Sequence, residues 1–90
     1  MQKRIEFPGE QREVSTGASI AFPAVVDGVT IRCMVSHEAL MRSYGTVPGQ
    51  SLDTFKRNRL FIEEVARTLI NRGKAVDGEL YLQARDFFAA

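Results

Sequence analysis

Apolar and polar residues alternate most clearly in two neighbouring segments of the first half of the chain. Ser19–Val26 and Val29–Val35 are rich in β-branched and aromatic residues, and Asp27-Gly28 separates them. An Asp-Gly pair between two such runs is a strong short-range signal for a β-hairpin, because both central residues of a type I′ turn need positive φ. The pattern predicts a hairpin with one dry face and one partly solvated face. Pro23 cannot donate a ladder hydrogen bond, so we expect it at an edge or a bulge.

Two helices follow the hairpin in the predicted order. The first runs from Ser36, a good N-cap residue, to Tyr44 and ends at Gly45. The second runs from Ser51 to Arg72 as one long amphipathic element. Its apolar residues at helical spacing are Leu52, Phe55, Ile62, Ala66, Leu69 and Ile70. These helices are expected to cover the dry face of the sheet.

Shorter alternations predict the remaining strands. Ile5–Phe7 forms a short strand, and Glu10–Ser19 is interpreted as a loop or a weak edge strand. After an Asp77-Gly78 turn, Glu79–Arg85 alternates as a half-buried strand. The prediction is a two-layer α+β domain with an antiparallel β-sheet in the order β-β-β-α-α-β and two helices packed on one face. Residues 1–90 form a single domain, with an ordered core of about 5–86 and a tail at 87–90.

Composition narrows the function classes. Twelve Lys and Arg residues oppose eleven Asp and Glu residues, so the net charge of +1 provides no strong field for nucleic acid or membranes. No apolar run is long enough to span a membrane, and the N-terminus lacks the apolar core of a secretory signal. The single cysteine excludes an internal disulfide, and we expect a cytoplasmic protein.

The whole pattern resembles a family of small bacterial proteins catalogued as domain of unknown function 1488. The residues that carry the resemblance are Ile5-x-Phe7, Ile20-x-Phe22-x-Ala24, Gly28, Ile31-x-Cys33, Phe55-x-x-x-Arg59-x-x-Ile62-Glu63, Ala66 and Gly78-x-Leu80. Their order and spacing cover the chain from about Ile5 to Asp86. The resemblance implies a compact α+β domain of a soluble bacterial type. It implies no activity, cofactor or catalytic residue.

Arg59 is the first candidate for function, because it falls inside the apolar arc of the second predicted helix. An unpaired buried guanidinium costs several kcal/mol, so the side chain must find a partner. In a structural interpretation it pairs with Glu63 one turn later or reaches a backbone carbonyl at the sheet edge. In a functional interpretation its planar fork holds an anion or a partner's carboxylate.

Exposed apolar residues form a second set of candidates. Leu60 and Phe61 point away from the buried stripe of the second helix, and Phe87 and Phe88 lie in the predicted tail. A single exposed leucine needs no explanation, but together these four provide a contact surface for a protein partner or a second copy. Homo-oligomerisation is therefore one of the expectations, since a core of this size is thin.

The outer face of the sheet provides a third set of candidates, with Arg32, Tyr81 and Arg85 on neighbouring strands. Bases stack on aromatic rings and cations hold phosphates on the open sheets of single-stranded nucleic-acid binders. Only one aromatic residue is well placed here, and no RNP-type motif is present. Nucleic-acid binding is therefore the alternative and not the main hypothesis.

Catalytic and metal chemistry have little basis in the sequence. Cys33 and His37 are the sole residues of their types, and alternation places Cys33 on the buried face, where a thiol behaves as a small hydrophobe. Metal-ligand spacing is missing, and no cofactor motif is present. The sequence favours a non-catalytic interaction or regulatory module without a cofactor. Nucleic-acid binding is the alternative, and an enzyme of unrecognised type is the third hypothesis.

Overall fold

A computed structural model of the chain describes residues 3–9, 12–14, 19–47 and 49–88. Within these ranges five strands and four helices form a two-layer arrangement, which confirms the α+β class. In chain order the elements are β1 (Ile5–Glu6), β2 (Arg12–Val14), β3 (Ser19–Val26), β4 (Val29–Ser36), α1 (His37–Tyr44), α2 (Ser51–Arg57), α3 (Arg59–Asn71), β5 (Glu79–Leu82) and α4 (Ala84–Phe88).

The predicted hairpin is confirmed as the centre of the sheet. β3 and β4 pair in antiparallel register from Val26↔Val29 at the turn to Ser19↔Ser36 at the far end. Asp27 and Gly28 have φ values of 50° and 85°, the left-handed conformations that a type I′ turn requires. β1 and β2 both pair with the other edge of β3, at opposite ends of that strand. Pro23 lies between these two pairings, in agreement with the predicted edge position.

The sheet is mixed, so the prediction of a purely antiparallel sheet was wrong for its last strand. β5 pairs with β4 in parallel, with Arg32↔Glu79 and Val35↔Leu82 as the first and last partners. The strand order is β1-β3-β4-β5, and β2 also pairs with β3. The chain leaves β4, passes through three helices and returns to the end where β4 began. A crossover of this kind joins neighbouring strands in parallel.

The long second helix of the prediction is in fact two helices. Asn58 separates α2 from α3 with φ −115° and ψ 19°, and its side chain donates a 2.9 Å hydrogen bond to the carbonyl oxygen of Thr54. This bond competes with regular helix geometry, as Asn side chains commonly do. Ser51 was expected to cap the helix, but α2 already begins at this residue, and Gln50 precedes it without a side-chain cap.

The C-terminal segment also differs from the prediction. β5 ends at Leu82, so Arg85 is not a strand residue, and Phe87 and Phe88 are helical residues of α4, not a tail. Asp86 accepts a 2.8 Å hydrogen bond from the N–H of Gln83, which satisfies a backbone donor where the helix begins. The last two positions of the predicted tail lie outside the described residues, as do 10, 11 and 15–18 of the predicted weak edge segment.

The core lies between the inner face of the sheet and the helices. The rings of Phe22 on β3 and Phe55 on α2 are 5.0 Å apart, and both side chains are buried. The other fully buried large side chains are Ile20, Leu40, Ile62, Ile70, Leu80, Leu82, Val35 and Cys33. The buried residues of β3, β4 and β5 confirm the predicted dry face, and the helical stripe is confirmed apart from Leu52, which is half-buried. Across the described ranges, no helix combines the length and apolar character needed to cross a membrane.

Candidate interaction surface

Four apolar residues that the sequence singled out lie at the surface around the start of α3 and the end of α4. Leu60, Phe61 and Phe88 are 76%, 54% and 66% exposed, and Phe87 is half-buried. The rings of Phe61 and Phe87 are 6.4 Å apart, so the structure brings the two segments together. Leu60 and Phe88 adjoin this pair along the chain. We call these four residues the aromatic patch.

Helix α4 is held in place by α1. The ring of Phe87 packs edge-on against Tyr44, with centroids 6.1 Å apart and an interplanar angle of 81°. Edge-to-face geometry of this kind is favourable beyond the burial of the rings. Phe87 therefore anchors α4, while its neighbour Phe88 faces solvent. Phe61, which the sequence places away from the buried stripe, contacts the ring of Phe87.

Charged residues of different sign lie on either side of Phe61. A shallow cleft on one side is lined by Lys56, Arg57 and Arg59 together with Leu60 and Phe61. Lys56 and Arg57 are exposed, and neither has an ion-pair partner among the described residues. A second cleft, of about 170 Å³, lies between α3 and α4 on the other side of Phe61.

The second cleft contains two carboxylates. Glu64 and Asp86 line it together with Phe61 and Arg72. The carboxylate of Glu64 forms a 3.1 Å ion pair with Arg67 and remains 65% exposed. The aromatic patch is therefore basic at the α2 end and has acidic groups at its α3–α4 end.

Arg59 forms the ion pair with Glu63 that its structural interpretation predicted. Its Nε donates a 3.0 Å hydrogen bond to Oε2 of Glu63, one helical turn later. The Glu63 side chain is 10% exposed and that of Arg59 is 41% exposed, so the pair closes the core at the start of α3. The carboxylate is the more buried partner and depends on the guanidinium. Binding of an anion or a partner's carboxylate by Arg59 stays a prediction.

The outer face of the sheet holds only part of its predicted set. Arg32 on β4 and Tyr81 on β5 are exposed there, but Arg85 is absent from this face because β5 ends before it. The hydroxyl of Tyr81 donates a 3.0 Å hydrogen bond to Glu79, and this bond together with the negative charge of Glu79 raises the pKa of Tyr81. Glu79 is the strand partner of Arg32. A carboxylate between the aromatic and the cation makes this face a poor track for phosphates.

The two candidates for nucleophilic chemistry, Cys33 and His37, lie in different environments. Cys33 is fully buried in the sheet, and burial raises the pKa of its thiol to about 12, so the reactive thiolate is disfavoured. His37 at the start of α1 lies 2.6 Å from Ser51 through Nδ1 and Oγ. Ser51 is 2% exposed, so this hydrogen bond joins the starts of α1 and α2 without presenting the hydroxyl to a substrate.

Sequence reasoning missed the His37–Ser51 pair. The two residues are 14 positions apart, and Ser51 was assigned to helix capping. No periodic or spacing signal connects them, because the contact depends on how the loop after Gly45 folds back. Among the described residues, no three His, Cys, Asp or Glu side chains are grouped so that they could hold a metal ion.

Comparison with known proteins identifies relatives over most of the chain. The family model for a protein of unknown function, DUF1488, matches residues 5–82. An uncharacterized protein, YrdB, of Escherichia coli K12 is 35% identical over 71 residues, which are 78% of this chain and 84% of that protein. The same values describe YrdB of Shigella flexneri.

A solved structure extends the likeness to three dimensions. The crystal structure of a protein of unknown function from the DUF1488 family of Shewanella loihica PV-4, at 1.60 Å resolution, matches with a TM-score of 0.78. The two chains are 26% identical, and the match covers 91% of this chain and 94% of the other. Sequence, family model and fold agree with the resemblance carried by the strand and helix residues, and the chain belongs to the DUF1488 family of proteins of unknown function.

Proposed function

We propose that this protein is a non-catalytic protein-interaction module and that the aromatic patch is its docking surface. One observation carries the proposal. Leu60, Phe61 and Phe88, three large apolar side chains, are each more than half exposed, and the Phe61–Phe87 ring contact brings together the two helices that carry them. Apolar side chains exposed singly are ordinary, whereas a contiguous exposed group is typical of a surface that another molecule covers.

The size of the patch agrees with this role. Its exposed aromatic and aliphatic area is on the order of 400 Å², which matches the largest apolar patches of monomeric proteins, and such patches are often functional. The charged residues at its two ends provide the polar rim that surrounds the apolar centre of most protein interfaces. An aromatic centre with a charged rim is the composition expected of a docking surface.

The environments of Cys33 and His37, the two candidates for nucleophilic chemistry, support the non-catalytic part of the proposal. Cys33 is buried as a thiol, and His37 is hydrogen-bonded to a buried serine. Neither group converges with the aromatic patch or with its clefts. A single buried thiol also agrees with the cytoplasmic location that we propose for the protein.

Site-specific photo-crosslinking tests the docking surface. Leu60 is replaced by benzoyl-phenylalanine in the full chain, and the chain is irradiated in the bacterial cell. Val29 is a matched control, because it is 65% exposed at the hairpin turn and lies outside the patch. We expect a discrete crosslinked protein product from position 60 that Phe61→Asp removes, and none from position 29. Equal labelling from both positions, or no protein product from position 60, would overturn the proposal.

A further inference from the structure

We propose that the occupant of the aromatic patch is a second copy of this chain, bound through an antiparallel pairing of α3 about a two-fold axis. This inference rests on the proposed function, since it names the partner of the same surface. It starts from the order of charged and apolar residues along one face of the helices.

Four exposed residues form this face. Arg57, Leu60, Phe61 and Glu64 occupy positions i, i+3, i+4 and i+7, the spacing that aligns side chains along one side of a helix. Asn58 interrupts the helix between Arg57 and Leu60, and the hydrogen bonds from Asn58 N to Thr54 O (3.2 Å) and from Ile62 N to Asn58 O (3.0 Å) meet at this residue without spanning it. The two clefts support the alignment, since one contains Arg57, Leu60 and Phe61 and the other contains Phe61 and Glu64.

The order basic, apolar, apolar, acidic is self-complementary. A two-fold axis gives both copies the same patch, so residues at equal distances on opposite sides of the axis face one another. With the axis between Leu60 and Phe61 and the helices antiparallel, Leu60 of one copy faces Phe61 of the other. Arg57, three residues before Leu60, then faces Glu64, three residues after Phe61. The symmetry creates two such ion pairs, one at each end of the apolar centre.

Both charged groups are available for this contact. Arg57 is exposed and has no ion-pair partner among the described residues. Glu64 is 65% exposed and uses Oε1 for Arg67, so its second carboxylate oxygen can accept from another guanidinium. A purely acidic partner would pair with Arg57 but would repel Glu64. A second copy satisfies both groups, and this charge complementarity selects it as the occupant.

The area predicts a reversible dimer. A standard interface buries about 800 Å² on each partner. The exposed apolar side chains provide on the order of 400 Å², and Arg57 and Glu64 add a charged rim. Phe88 follows Phe87 at the end of α4 and is 66% exposed. We therefore expect dimerisation that depends on protein concentration instead of an obligate dimer.

Sedimentation equilibrium of the full chain over a wide concentration range tests the dimer. We expect a monomer–dimer equilibrium whose dissociation constant rises at least tenfold in Arg57→Glu and in Glu64→Arg. The double variant R57E/E64R reverses both charges, so it restores dimerisation if the two groups face one another across the axis. Lys74→Glu is the matched control, because Lys74 is exposed after α3 and is not one of the four residues of the proposed interface. Circular dichroism checks that each variant is folded.

The outcomes separate the two proposals. A chain that stays monomeric throughout, or a charge reversal that fails to restore the dimer, overturns the homodimer. If the chain is monomeric and photo-crosslinking at position 60 still joins it to a different protein, the docking surface stands and its occupant has been misidentified. A crosslinked product of twice the chain mass supports both proposals. If position 60 gives no product and the chain is monomeric, both fail.

Discussion

The aromatic patch and the outer face of the sheet both expose an aromatic residue beside a cation, but they differ in what surrounds that pair. On the sheet, Tyr81 is hydrogen-bonded to Glu79, which is the strand partner of Arg32. On the patch, Phe61 lies among other apolar side chains, and Arg57 has no ion-pair partner in the described part of the chain. An exposed ring therefore indicates a contact surface only when its neighbours leave apolar area and charge unsatisfied.

The largest expected effect is a difference in the free energy of unfolding between variants of two adjacent phenylalanines of the patch. Phe87→Ala should lower the free energy of unfolding by about 2 kcal/mol, because this half-buried ring packs against Tyr44 and Phe61. Phe88→Ala should change it by less than about 0.5 kcal/mol, since Phe88 is 66% exposed. Urea denaturation of the two variants, below the concentration at which the chain dimerises, measures the difference. Equal losses would mean that α4 is not anchored through Phe87.

The Arg59–Glu63 pair should respond asymmetrically to removal of its partners. Arg59→Met leaves a nearly buried carboxylate without its cation and should cost about 2 kcal/mol. Glu63→Gln leaves a guanidinium that is 41% exposed and can be hydrated, so it should cost about 1 kcal/mol. Chemical denaturation at neutral pH measures both. If Arg59→Met keeps full stability but weakens dimerisation, Arg59 serves the partner and the structural interpretation is wrong.

The smallest expected effect is on the pH dependence of stability and comes from Cys33, on the inner face of β4. Burial raises the pKa of Cys33 to about 12 in the folded protein, so the unfolded chain loses this proton at lower pH. The stability that the buried, protonated Cys33 thiol contributes is fully present below the pKa of the unfolded chain. It is lost as pH rises through the alkaline range towards the pKa of the folded protein. We expect a loss on the order of 1 kcal/mol between about pH 8 and pH 10.

The variant Cys33→Ala isolates that contribution. It should be less stable than the parent at neutral pH because it creates a small cavity, but its unfolding free energy should fall less steeply at alkaline pH. Urea titrations of both proteins at a series of pH values provide the comparison. Parallel pH profiles would show that the Cys33 thiol does not contribute to the pH dependence.

The local parts of the fold were predictable from the sequence because each has a local cause. Asp27-Gly28 and Asp77-Gly78 both form tight turns with positive φ, since a short polar residue and a glycine tolerate that conformation. Phe55 and Ile62 are fully buried, as the helical period predicted. The pairing of Arg59 with Glu63 was foreseen as well, because it is a contact between neighbouring turns.

The parts that were missed depend on distant contacts or on short elements. Alternation predicted that Leu80 and Leu82 are buried, but it carries no information on whether β5 runs parallel or antiparallel to β4. Helix α4 has five residues, too few for a helical period to be recognised. The patch could be anticipated only as a list of exposed apolar residues. The approach of its two segments depends on α4 placing Phe87 against Phe61.

Pro23 has a consequence for how copies of this chain can associate. The edge of β3 that faces away from β4 is divided between β1 and β2, and of the three residues between those pairings Pro23 has no N–H to donate. Between these two short strands an incoming strand therefore cannot take a hydrogen bond from β3 at Pro23, which disfavours continuous strand pairing at this part of the edge. Association through the proposed helical surface would therefore not be extended by strand addition at Pro23.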